Sequence, residues 1–123
     1  MNVPIYGTPL TLGFVSVKLA KRGAIDGVEL VTVNAGDSVD IGAFNIEFCH
    51  VCHSVPDGVA LGITTPAGLV VHSGDYKFDH TPVDSWPTDF AKLAEWAGRG
   101  VLALLADSTN ADKPGWTPSE RVV

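Results

Sequence analysis

The sequence predicts an α/β fold, a mostly antiparallel sheet with helices against it. Three observations carry that expectation. A helix period opens the chain, a run of short alternating segments punctuated by turn residues fills the middle, and a second helix period precedes a last, wholly apolar strand. At 123 residues, 46% of them apolar, the chain has the size of one domain. Folding should bury roughly two-thirds of its unfolded surface, so a core is expected without disulfides.

The opening helix is expected after Thr8, a capping residue, with Pro9 at the first helical position and Gly23 ending it. Leu10, Phe14 and Val17 make one apolar stripe and Leu12, Val15 and Leu19 a second, which predicts a helix covered on much of its circumference. Lys18, Lys21 and Arg22 near its end suit the helix dipole. From Val28 the period becomes two. Val28–Val33, Ser38–Ile41, Phe44–Phe48, Val59–Thr64 and Leu69–His72 read as a meander of antiparallel strands, separated by clusters such as Asn34-Ala35-Gly36-Asp37 and Thr65-Pro66-Ala67-Gly68. After Pro87, Thr88 is expected to cap a second helix in which Phe90, Leu93, Ala94 and Ala97 share a face. Val101–Ala106 is apolar throughout, as a strand covered on both faces should be. Residues 108–123 are polar, hold two prolines and read as a connector.

Composition excludes several classes. Eight Lys and Arg against fourteen Asp and Glu give a charge of −6, which argues against nucleic-acid binding by bulk electrostatics. It leaves open an enzyme whose metal ions carry the positive charge. No apolar run approaches the ~20 residues of a membrane span, and the first residues lack the pattern of a signal peptide. A soluble cytoplasmic protein without a membrane partner is expected. The only cysteines, in Cys49-His50-Val51-Cys52-His53, match a haem-attachment pattern. Residues three apart on a strand face opposite ways, so both are expected to be small apolar fillers.

Three polar residues stand at the ends of apolar strands: His53, Asp75 and Asp107. Strand ends fix a side chain against a rigid sheet while facing it into loops, which suits a site. Taken singly, each has an ordinary reading: a satisfied histidine, an Asp bonding its own turn, a cap before Ser108-Thr109-Asn110. His72 is expected in a structural role, buried or supporting the site; His50 as a packed strand residue; His80 as solvated; and Trp86, Trp96 and Trp116 as packing residues.

Tyr6-Gly7-Thr8-Pro9-Leu10-Thr11, His53-Ser54-Val55-Pro56-Asp57, His72-Ser73-Gly74-Asp75-Tyr76-Lys77-Phe78-Asp79 and Asp107-Ser108-Thr109-Asn110-Ala111 together resemble ribonuclease J, of the β-CASP branch of the metallo-β-lactamase fold. The resemblance implies that residues 1–107 form the C-terminal part of a metallo-β-lactamase domain, an αββα sandwich, and that residues 108–123 lead toward a β-CASP domain. It implies roles too: His53 as ligand of one zinc, Asp75 as a carboxylate bridging two zincs, and Asp107 as an acid beside them. RNA is then the substrate and partner, hydrolysed exonucleolytically and internally. Manganese would also suit His with carboxylate.

The family's His-x-His-x-Asp-His string is not supplied by His50, His53, His72 and His80, and Cys52 stands where the family usually has Thr. The chain therefore resembles the central part of a larger enzyme. It is expected to need that enzyme's other parts, to bind zinc weakly alone, to lack useful nuclease activity, and to self-associate through uncovered sheet. A hydrolase of the same fold acting on another substrate, or a non-catalytic structural module, are the alternative readings.

Overall fold

The structure is a computed structural model that describes residues 3–122. It opens with a β-α-β unit: β1 (Ile5–Gly7), α1 (Pro9–Lys21) and β2 (Leu30–Thr32). β1 and β2 pair in parallel, Ile5 opposite Leu30 and Gly7 opposite Thr32, as a helical crossover requires. β2 was expected within the antiparallel meander and is not there. The three-residue β1, too short to show a period, takes it into a separate two-stranded sheet.

The main sheet has five strands in sequence order: β3 (Ser38–Ile41), β4 (Phe44–His50), β5 (Val59–Thr65), β6 (Gly68–His72) and β7 (Val101–Leu105). The first four are antiparallel neighbours, and β7 joins β6 in parallel after the crossover through α2 (Phe90–Arg99). A short 3-10 turn, Glu120–Val122, closes the described chain. The meander and its turns follow the alternation in the sequence. The core is Cys49, Val51, Ala60, Leu69, Val71 and Trp96.

Helix α2 sits where it does because of one gap. A Cβ on Gly62 of β5 would lie 2.5 Å from Trp96 Cζ2, so only glycine leaves room for the indole, which is 1% exposed. The buried face of α2 is therefore Trp96 with half-buried Leu93. Phe90, Ala94 and Ala97, expected on that face, are exposed. The helix is capped by Asp89, whose carboxylate accepts from Lys92 N at 2.9 Å. Thr88, the expected cap, is buried and receives Cys52 N–H instead. Lys92 and Arg99 both reach Glu47 on β4, clamping the helix across the sheet.

Three further expectations are overturned. In α1 only Leu12 is buried, against Gly7, while Leu10, Phe14 and Val17 are exposed. Strand β7 is exposed along its whole length, an edge strand left uncovered by the described residues. Trp116, expected to pack, is 99% exposed.

Candidate functional site

The loop 51–58 joins β4 to β5 and is closed at its base by Val51 N–H donating to Gly58 O at 3.1 Å. His53 stands on this loop, its side chain one-third exposed. Both backbone groups of Cys52 are used to hold it. Cys52 N–H donates to Thr88 Oγ1 at 3.0 Å, and Cys52 O accepts from Lys77 N–H at 2.7 Å. The second bond ties the His53 loop directly to the segment leaving β6.

That segment carries Asp75. The chain turns at Gly74 with φ of +63°, and a Cβ there would lie 2.6 Å from Val59 O, so both the dihedral and the space demand glycine. Asp75 Oδ2 thereby comes to 4.0 Å from His53 Nε2. The separation is too long for a direct hydrogen bond, and it lies within the span of two metal–ligand bonds of ~2.0–2.2 Å.

Asp107 is brought to the same rim by Ser73. Ser73 N–H donates to Leu105 O at 2.9 Å, and Asp107 N–H donates to Ser73 Oγ at 2.9 Å, so one residue joins the ends of β6 and β7. Asp75 and Asp107 line a common open cleft of about 440 Å³. The Asp107 carboxylate accepts from Thr109 Oγ1 at 2.7 Å and Thr109 N at 2.9 Å. These bonds, reinforced by Tyr76 N–H and by His53, hold its pKa below the ordinary value. The structure thus brings together His53, Asp75 and Asp107, and leaves Asp107 an ionised group beside the other two.

The remaining histidines do other work. His72 is exposed rather than buried, and its Nδ1 accepts Gly74 N–H at 3.0 Å, supporting the turn before Asp75. His50 is buried, stacked on Trp86 with ring centroids 3.7 Å apart, and donates from Nε2 to Trp86 O at 3.0 Å. His80 is exposed and stacks with Phe90. Cys49 and Cys52 are both free and buried. The sequence assigns Ser73 and Thr88 no role at the site, because the motif around Ser73 points to Asp75 and Thr88 reads as a helix cap, while both hydroxyls hold distant backbone. The adjacency of Ser73 to Gly74-Asp75 was the one available signal.

Among the described residues no group of three or more His, Cys, Asp or Glu side chains is placed to hold a metal ion. A catalytic zinc takes three protein donors and a water. His53 and Asp75 supply two donors at a suitable separation, so these residues fit part of a metal centre and do not complete one.

Comparison with known proteins bears on whose centre it resembles. No protein-family model matches the chain. Ribonuclease J of Helicobacter pylori (strain ATCC 700392 / 26695) is 44% identical over 124 residues, covering 100% of the chain and 18% of that relative. Ribonuclease J of Synechocystis sp. is 46% identical over 99% of the chain and 19% of its own length. Over its full length the chain is homologous to a segment of ribonuclease J. Ribonuclease J2 of Bacillus subtilis is 38% identical, across 100% of the chain and 22% of the relative. The chain spans about a fifth of the length of these ribonuclease J relatives. The homology places the mixed α/β architecture, with its five-stranded, mostly antiparallel sheet, in the metallo-β-lactamase fold. A crystal structure of a protein of unknown function from Enterococcus faecalis V583 superposes with a TM-score of 0.66, covering 96% of the chain and 29% of that protein at 19% identity. It supports the fold alone. Among the described residues no helix is long and apolar enough to cross a membrane.

Proposed function

We propose that this chain is the segment of a ribonuclease J-like metal-dependent ribonuclease that contributes His53, Asp75 and Asp107 to the centre hydrolysing RNA phosphodiester bonds. The observation that carries the reading is the convergence of His53 Nε2 and Asp75 Oδ2 to 4.0 Å at one rim, in a chain homologous throughout to ribonuclease J. His53 and Asp75 serve as two metal donors, and the remaining donors belong to parts of the enzyme outside this segment. Two zinc ions, or manganese in their place, would supply an activated water and charge neutralisation when bound. The segment's own contribution is to orient. Gly74 and His72 fix Asp75, the Cys52 backbone fixes His53, and Ser73 fixes Asp107 as an ionised carboxylate able to steer the reacting groups or accept a proton from them. Residues 1–107 belong to the metallo-β-lactamase domain, and residues 108–123 connect it to a β-CASP domain. Alone, the segment lacks a full donor set and does not cleave RNA.

The test is a graft. The corresponding segment of the Helicobacter pylori relative is replaced by this chain, and hydrolysis of RNA is measured. The graft is expected to retain activity and to lose at least about 100-fold on His53→Ala or Asp75→Ala, more than the loss typical of a residue that merely supports a ligand. Asp107→Asn should cost ~10²–10⁴-fold, the usual contribution of a general acid or base. A folded graft whose activity ignores His53→Ala refutes the assignment.

A further inference from the structure

The loop that carries His53 is closed at its base by Val51 N–H and Gly58 O, and the residue beside that closure reaches out to another element. Asp57, the last residue before Gly58, adopts φ of +70°, a left-handed conformation that few non-glycine residues take and that Asp tolerates better than most. Its Oδ2 lies 3.4 Å from Leu10 N, in the first turn of α1, across 47 positions of sequence.

Helix α1 needs such a partner. Its N-cap Thr8 makes no side-chain cap bond, Thr8 Oγ1 donating instead to Thr11 Oγ1 at 3.0 Å, and no acidic residue stands in its first turn. Free N–H groups and the positive end of the helix dipole therefore face an acceptor supplied by another element. Asp57 is that acceptor. It lines the cleft between the β1-α1-β2 unit and the main sheet, with Gly7, Thr8 and Thr11 from one side and Val59 and His72 from the other.

We propose that Asp57 is a positioning residue: its carboxylate ties the His53 loop to the N-terminus of α1, so that the β1-α1-β2 unit sets the approach of His53 to Asp75. The inference rests on the reading of His53 as a site residue. The carboxylate reaches out of its own loop to α1, so the loop is tied to a second element beside its base closure. A shift of α1 is then transmitted to His53 four residues away.

The test uses NMR on the full chain, without metal or RNA, so that its failure is distinct from failure of the graft. Asp57→Ala is expected to move the Leu10 amide resonance and the His53 ring resonances together, with the His50 and His80 rings, off the loop, unchanged. Asp57→Asn keeps an oxygen acceptor and the left-handed preference, and should return both sets toward wild type. Asp57→Gly keeps the backbone freedom without the carboxylate, and should behave as Asp57→Ala. If Asp57→Ala fails to fold, the Asn and Gly variants carry the comparison alone. A Leu10 shift without a His53 shift makes Asp57 a helix cap only and overturns the proposal. So does a Gly variant with wild-type His53 resonances, since backbone conformation would then suffice.

Discussion

Replacing Gly62 by Ala tests why the second helix lies on the sheet. The new methyl carbon would sit 2.5 Å from Trp96 Cζ2, deep inside van der Waals contact, and the opposing group is a rigid ring that is 1% exposed. Overpacking of this kind costs ~1–3 kcal/mol. Trp96→Ala, which empties the same site, should cost ~3–5 kcal/mol. In the double variant the methyl group added by Gly62→Ala no longer meets a ring, so the two costs should fall short of their sum by at least ~1 kcal/mol. Urea unfolding followed by circular dichroism measures all four corners of the cycle without relying on Trp96 fluorescence. Additivity to within ~0.5 kcal/mol, the behaviour of independent sites, would refute the Gly62–Trp96 argument, as would a neutral Gly62→Ala.

Other outcomes follow from the same structure. Burial alone would raise the Glu47 pKa, but hydrogen bonds from Lys92 and Arg99 outweigh it and hold the group below its ordinary 4.5. Its stabilisation is therefore present above pH 4.5 and lost as pH falls through the folded value. The urea midpoint of wild type should drop more steeply in acid than that of Glu47→Gln, which starts ~1 kcal/mol lower at pH 7. Burial, aided by Asp89 and opposed by Lys92, pushes the Cys49 thiol up to about 12, so it should resist a thiol reagent at pH 8 in the native chain and react fully in urea. Gly74→Ala should cost ~1–3 kcal/mol by forcing strained backbone against Val59 O, and should displace the Asp75 resonances in an NMR spectrum. Leu104→Lys places a charge on the open apolar strand β7 and should reduce self-association in sedimentation experiments.

Much of the fold was legible because alternation is local. Phe44-Asn45-Ile46-Glu47-Phe48 and Leu69-Val70-Val71-His72 announce β4 and β6 without reference to anything else. What failed depended on distant partners. The apolar run of β7 is that of a strand covered on both faces, yet no described residue covers it. The stripes of α1 misled for the same reason. The helical face of α2 was misjudged because Trp96 buries into a gap made by Gly62, 34 positions away, which no helical period reveals. At the site, His53, Asp75 and Asp107 were visible as polar residues ending apolar runs. The roles of Ser73, Thr88 and Asp57 were not, since each acts by holding backbone distant in sequence.

The most direct test of the central claim follows manganese added to the isolated chain by NMR, reading paramagnetic broadening residue by residue. His53, Asp75 and Asp107 should broaden together and first, at concentrations reflecting an incomplete donor set, and His53→Ala should abolish the effect at Asp75. Broadening that begins at other carboxylates while the His53 ring stays sharp would contradict the assignment of this rim as part of a metal centre.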